Sequence, residues 1–146
     1  DNDLIAILFR DTDGTRSTTK GLWDSKWTSM VNGFQRSGLG SRGVPMLPKP
    51  KSEAWLLCAI KEQPYQHCQQ LEELSGNDNS PNPAKELLHS ALGEPPSQSG
   101  LVDWLREHGY DWRAAAGQMP SLGRFVDRLR NALQSVLQPS REDPVT

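Results

Sequence analysis

The stretch Leu4-Ile-Ala-Ile-Leu-Phe9, which leads into Asp11-Thr-Asp-Gly-Thr15, decides the fold of this chain. A continuous apolar run of this length, without alternation, predicts a strand that is buried on both faces, as in a parallel sheet. Apolar residues then recur at helical spacing over 22–36, and Val44-Pro-Met-Leu-Pro48 predicts a second strand. The order strand, loop, helix, strand is typical of an α/β layer. We therefore predict an α/β fold with a mainly parallel sheet.

The chain after residue 50 is predicted to be rich in helices. Helical patterns cover 53–61, 65–74, 85–92, 101–107 and 121–137, and the pattern over 112–117 leaves helix and loop open. Ser52 is expected to cap the first of these helices. The last residues, 138–146, carry Pro, Ser and charges without periodicity. We predict one domain over 1–137 and a flexible tail over 138–146.

Composition excludes several classes of protein. The 146 residues carry a net charge of only -2, so no overall basic field indicates nucleic-acid binding, which would need a local patch or a metal. No apolar run approaches the roughly 18 residues of a membrane helix, and no signal peptide is evident. The chain opens at Asp1 rather than Met, which suggests a fragment or a processed chain. We predict a cytoplasmic protein that does not contact membranes.

The two cysteines, Cys58 and Cys68, lie ten residues apart in helical patterns. No Cys-x-x-Cys pair is present, so a zinc site lacks its usual spacing. We predict buried free thiols in a reducing cytosol, with a disulfide as the alternative.

The acidic loop after the first strand is the first candidate site. Asp11 and Asp13 follow a buried strand at the end where α/β sheets bind ligands, and Gly14 allows a tight turn. Two such carboxylates suit Mg²⁺, which takes one or two carboxylates together with waters and phosphate oxygens. The alternative is an acidic turn in which each Asp binds nearby backbone N–H groups.

Three known motifs share this string. An EF-hand needs further ligands along its loop, and Ser, Thr and Lys occupy those positions here. The stretch Leu8–Thr15 resembles the haloacid-dehalogenase phosphatase motif, in which Asp11 would be the nucleophile and Asp13 the acid/base. That family also needs a late acidic pair after another strand, and only helices are predicted there. The third is the TOPRIM fold of topoisomerases, primases and related nucleases.

Three later segments favour a TOPRIM resemblance, in the order that the family has them. Pro50–Leu57 resembles the "(F/I)EAWLL" segment of TOPRIM-like proteins related to the overcoming-lysogenisation-defect nucleases. Gly76–Leu87 and Met119–Val126 resemble the "NDxPxxAPSKRL" and "CPxFxxWL" segments of an uncharacterised bacterial TOPRIM-like family. Together with the acidic loop, they cover roughly residues 4–135.

The resemblance implies a metal-dependent nuclease-like domain that hydrolyses phosphodiesters of DNA or RNA, often in anti-phage defence beside an ATPase partner. Asp11 and Asp13 match the family's acidic pair, and Glu53 matches the acid of the EAWLL segment, so these three would be the catalytic residues that hold Mg²⁺ or Mn²⁺. The family's first acid, a Glu, lies upstream of this pair, and no residue of this sequence matches it. The resemblance thus implies that the N-terminal strand is missing.

Further residues are candidates for substrate binding. Lys49 and Lys51 precede Glu53 and would neutralise phosphates near the metal, or lie in a solvated loop. Asn77 would orient substrate or form a turn, and Lys85 would contact phosphate or lie on a solvated helix face. The competing hypotheses are the phosphatase and a non-catalytic module that binds a partner protein. A homo-oligomer also stays open.

Overall fold

The computed structural model describes residues 3–13, 19–74 and 84–137, without the side chains of 19 and 20. Its strands and α-helices are β1 (Ala6–Phe9), α1 (Thr19–Arg36), β2 (Gly43–Met46), α2 (Ser52–Ile60), α3 (Ala84–Leu92), α4 (Gln98–His108), α5 (Trp112–Ala116) and α6 (Pro120–Leu137). Short 3-10 segments lie at Gly40–Arg42 and Cys68–Glu73. The α/β class and the helix-rich second half are confirmed. The predicted tail, 138–146, lies outside the described residues.

The sheet consists of β1 and β2, which run parallel in the register Ala6 to Gly43 through Phe9 to Met46. The pairing continues past both strands, because the Arg10 N–H donates to the Met46 carbonyl (3.0 Å) and the Thr12 N–H donates to that of Pro48 (3.2 Å). Since parallel strands end at the same edge of a sheet, the chain after β1 lies beside the chain after β2.

The prediction that the first strand is buried on both faces is wrong. Ile7, Leu8 and Phe9 are each about half exposed, at 51%, 50% and 50%. Burial is concentrated on β2, where Val44 is fully buried and which α1 and α6 both contact. The reason is that β1 has a neighbouring strand on one side alone within the described chain, and the helices cover its neighbour instead.

The core has three clusters of buried side chains. The largest joins β2, α2, α5 and α6 through residues that include Val44, Trp55, Met119, Leu122 and Phe125. A second packs Trp23, Trp27 and Met30 of α1 against Leu47, and a third packs Leu57 of α2 against Ala84 and Leu88 of α3. No helix of the described chain is long and apolar enough to cross a membrane.

Cys58 and Cys68 form a disulfide, which corrects the prediction of free thiols. The helix predicted over 65–74 is replaced by a turn, with Tyr65 and His67 at positive φ (60° and 57°), and by the 3-10 helix that begins at Cys68. This turn folds the chain back on α2, where the Tyr65 N–H donates to the Cys58 carbonyl (2.7 Å). The cysteines therefore no longer support a reducing compartment.

Candidate metal site at the end of the sheet

The residues predicted to bind metal lie at the edge where both parallel strands end. We call Asp11, Asp13, Lys51, Ser52 and Glu53 the acidic edge. Asp11 and Asp13 follow β1, whereas the other three follow β2 and open α2. The Asp13 N–H donates to the Pro50 carbonyl (2.9 Å), so the two loops stay in contact beyond the strands. The sheet register thus brings together side chains that are about 40 residues apart in sequence.

Ser52 connects two of the three predicted ligands. Its backbone N–H donates to Asp11 Oδ1 (3.0 Å), and its hydroxyl donates to Glu53 Oε2 (3.4 Å). Ser52 does not cap α2 as expected, because it is the first helical residue and the cap position belongs to Lys51, which makes no side-chain cap bond. Asp11 satisfies a free N–H of the first helical turn instead, where the helix dipole favours a negative charge.

The Asp11 carboxyl has a pKa above its ordinary value. It is half-buried, and burial is the main cause that raises its pKa, opposed by the hydrogen bond from Ser52. The negative charges of Glu53 and Asp13 raise the pKa further, and the positive charge of Lys51 lowers it. A carboxylate that is repelled by two others gains from a nearby cation.

The loop that carries the two aspartates is fixed by Thr12, which the sequence analysis missed. Thr12 is fully buried, and its hydroxyl donates to the Pro48 carbonyl (2.6 Å). The Lys26 ammonium of α1 donates to the Thr12 carbonyl (2.5 Å).

Ser52 joins two of the three predicted ligands of the acidic edge, and Asp13 lies apart from its hydrogen bonds. Among the described residues, no group of three His, Cys, Asp or Glu side chains is arranged to hold a metal ion. Asp13 is exposed and forms a distant ion pair with Lys51 (3.9 Å from Oδ1 to Nζ). Asp11 and Glu53 remain together at Ser52. One or two carboxylates with several waters is a common coordination of Mg²⁺, so the donor set suits that ion.

The predicted substrate-binding residues are dispersed. Lys51 belongs to the acidic edge, but Lys49 lines a separate cleft of about 170 Å³ beside Glu72 and Arg124. Lys85 is exposed on α3, which packs on α2. Asn77 lies outside the described residues.

Glu72 is a buried acid that the sequence analysis did not identify. Its side chain is 6% exposed and accepts hydrogen bonds at the first turn of α6. The Ser121 N–H donates to both carboxylate oxygens (3.2 and 2.9 Å), and the Ser121 hydroxyl donates to Oε2. Ser121 Oγ in turn accepts from Trp55 Nε1 (2.9 Å). Glu72 thus links the 3-10 helix to α6 and, through Ser121, to α2.

Comparisons with models of protein families, with characterised proteins and with solved structures gave no match to this chain. Function is therefore inferred from the geometry and chemistry of the acidic edge.

Proposed function

We propose that the acidic edge binds Mg²⁺ or Mn²⁺ through Asp11 and Glu53, with Asp13 beside them. The chain would then be a nuclease-like domain of the TOPRIM type that hydrolyses phosphodiester bonds of DNA or RNA. One observation carries the proposal: Ser52 hydrogen-bonds to two carboxylates, that of Asp11 in the loop after β1 and that of Glu53 in the first turn of α2. The resemblance in sequence assigns the same residues to a metal. We also propose the ATPase partner and the role in anti-phage defence that the resemblance implies.

The residues have distinct parts in this chemistry. Asp11 and Glu53 would hold the ion, which supplies a charge that polarises phosphate oxygens and lowers the pKa of water. Asp11 is kept in place by the Ser52 N–H, and the hydrogen bond from the Thr12 hydroxyl to the Pro48 carbonyl fixes the loop that carries Asp11. Lys51 brings a positive charge to the same edge and would attract the phosphate backbone.

Calorimetric titration with Mn²⁺ tests the metal site. We expect binding to the original chain and its loss in Asp11→Asn, because the amide keeps the size of the side chain but removes the charge. Asp103→Asn, an exposed acid on α4, is the matched control and should bind like the original chain. Thermal unfolding of each variant tests whether the chain is still folded. Equal Mn²⁺ binding by Asp11→Asn and the original chain would overturn the site.

Cleavage of labelled DNA and RNA with Mg²⁺ tests the reaction. Asp11→Asn and Glu53→Gln should both abolish cleavage, and chelation of the metal should do the same. Unchanged cleavage in either variant contradicts the assignment. Trapping of beryllium fluoride on Asp11 would show a covalent phosphatase instead of a nuclease.

A further inference from the structure

A cleft of about 170 Å³ lies between α1 and α6, and we call it the α1–α6 cleft. The residues that line it include Trp23, Asp24, Lys49, Glu72, Ser121 and Arg124. Pockets for drug-sized ligands measure roughly 300–1,000 Å³, so this cleft suits a smaller group. The metal site proposed above uses none of these side chains.

Two cations line the α1–α6 cleft from different parts of the chain. Lys49 follows β2 and is half-buried, and Arg124 lies on α6 with its guanidinium over the Trp27 ring, 5.0 Å from the ring centroid. Among the described residues, neither cation forms an ion pair with a carboxylate. Two like charges that share one small cleft repel each other, so an anion bound between them would lower the energy of both.

The two acids of the cleft do not neutralise these cations. Glu72 already accepts hydrogen bonds from the Ser121 N–H and hydroxyl, in the first turn of α6, where the helix dipole is positive. Burial also raises the pKa of Glu72, and Lys49 opposes that shift without forming an ion pair. Asp24 is exposed, so water and salt screen its charge. The side chains of the cleft therefore favour an anion.

The cleft adjoins the acidic edge through the backbone of Lys49. The carbonyls on either side of Lys49, those of Pro48 and Pro50, accept from the N–H groups of Thr12 and Asp13 (3.2 and 2.9 Å). Chains paired in this way lie about 4.8 Å apart, so the backbone of Lys49 runs beside the acidic loop. A nucleic-acid strand carries a negative charge at every nucleotide. A strand whose phosphodiester lies at the acidic edge thus brings further phosphates close to the cleft.

Cations continue along α6 beyond this cleft. Arg124 also lines a second cleft, of about 250 Å³, together with Arg128, which lies one turn further on the same face of the helix. The Arg128 guanidinium donates to the carbonyls of Gly43 and Gly40 (2.8 and 3.1 Å), which hold it in place. The second cleft also contains Asp127, which is exposed to solvent. Because the two clefts share Arg124, they form one path between α1 and α6, which favours an extended polyanion over a single small anion.

We propose that Lys49 and Arg124 bind a backbone phosphate of the strand that is cleaved at the acidic edge. This inference rests on the proposed function, since it names where the substrate strand lies. Arginine offers phosphate two parallel N–H donors, and lysine offers a compact charge. Trp23 and Trp27 are each 8% exposed, which leaves little ring surface for bases to stack on. Binding should therefore depend on the phosphates and not on the base sequence.

Fluorescence anisotropy of a labelled DNA strand of about 12 nucleotides measures this binding. EDTA in the buffer removes metal, so that no ion at the acidic edge contributes. Each phosphate contact on a single strand adds about 0.7 to the slope of log affinity against log salt. Lys49→Gln and Arg124→Gln should each reduce the slope by about 0.7 and weaken binding about fivefold at roughly 0.1 M salt. Arg106→Gln, at an exposed cation of α4, is the matched control and should change neither quantity.

Variants that keep the charge separate phosphate binding from a structural role. Lys49→Arg and Arg124→Lys should retain the slope of the original chain. An unchanged slope in both Gln variants, an equal loss in the variants that keep the charge, or no binding of the strand would overturn the phosphate site. Strands of unrelated base sequence should bind alike, and a strong preference among them would also contradict the proposal.

Cleavage of the same strand with Mg²⁺ separates a failure of this site from a failure of the proposed function. If the Gln variants reduce the slope but the original chain does not cleave, the proposed function is wrong and the phosphate site stands. If the original chain cleaves but the Gln variants bind the strand as it does, the proposed function stands and the phosphate site is wrong.

Discussion

Replacing Glu72 by alanine should cost more stability than any exposed acid of the chain. The carboxylate is buried and accepts the N–H and the hydroxyl of Ser121 at the start of α6. Without the carboxylate, the buried Ser121 hydroxyl and the Ser121 N–H in the first turn of α6 lose their acceptor. A buried unsatisfied donor costs about 1–3 kcal/mol, and a lost helix cap costs about 1 kcal/mol. We expect Glu72→Ala to lower the free energy of unfolding by about 2–4 kcal/mol.

Urea unfolding followed by tryptophan fluorescence measures this loss, with Trp55 bonded to Ser121 as a probe near the site. Glu72→Gln is the matched control, because its amide oxygen still accepts from Ser121 in nearly the same volume. Glu72→Gln should lower the free energy of unfolding by about 1 kcal/mol or less, because that is the net contribution of one ordinary hydrogen bond. A loss below about 0.5 kcal/mol in Glu72→Ala, the range of ordinary surface changes, would refute the reasoning.

The difference in unfolding free energy between the original chain and Glu72→Gln should depend on pH. Burial raises the pKa of Glu72 above its ordinary value of 4.5, although the bonds from Ser121 and the charge of Lys49 oppose the shift. A carboxyl with a raised pKa in the folded state contributes most to stability below its ordinary pKa, and this contribution is lost as pH rises through the raised value. The stability of the original chain relative to Glu72→Gln should therefore fall as pH increases above 4.5. If the stability of the original chain relative to Glu72→Gln increased as pH rises above 4.5, this would contradict a raised pKa of Glu72.

Two further changes have expected outcomes. Reduction of the bond between Cys58 and Cys68, which closes a separation of ten residues, should lower stability by about 2–3 kcal/mol in urea unfolding, and no change with reductant would argue against the bond. Gly43→Ala would place a methyl group 2.0 Å from the Phe34 ring, so we expect a loss of about 3 kcal/mol by thermal unfolding. Gly21→Ala, with nothing within 4 Å, should gain about 0.5–1 kcal/mol, and equal effects at both sites would contradict the packing.

The acidic edge was only partly predictable. The positions of Asp11 and Asp13 after one strand, and of Glu53 after the other, follow from the order of elements, since parallel strands end at one edge. That Ser52 lies between Asp11 and Glu53 was not predictable, because its place depends on how the two loops pair beyond the strands. Lys49 is two residues from Lys51 in sequence, yet it lines another cleft beside Glu72 and Arg124, a placement that the packing of α6 decides.

The sequence by itself determined the local elements. A continuous apolar run predicted β1, and apolar residues at helical spacing predicted α1, α2, α3, α4 and α6, whereas the pattern over 112–117 left α5 open between helix and loop. Its weakest prediction concerned the cysteines, where a turn at Tyr65 and His67, both at positive φ, broke an expected helix.

Only the tertiary structure decided what those elements face. The run around Ile7 is as apolar as a central strand, yet it lies at the edge of the described sheet, because α1 and α6 pack on β2. The burial of Glu72 and the pairing of Cys58 with Cys68 likewise depend on contacts across roughly 50 and ten residues. A sequence pattern carries the preference of a side chain for burial, but the partner that buries it is chosen by packing in three dimensions.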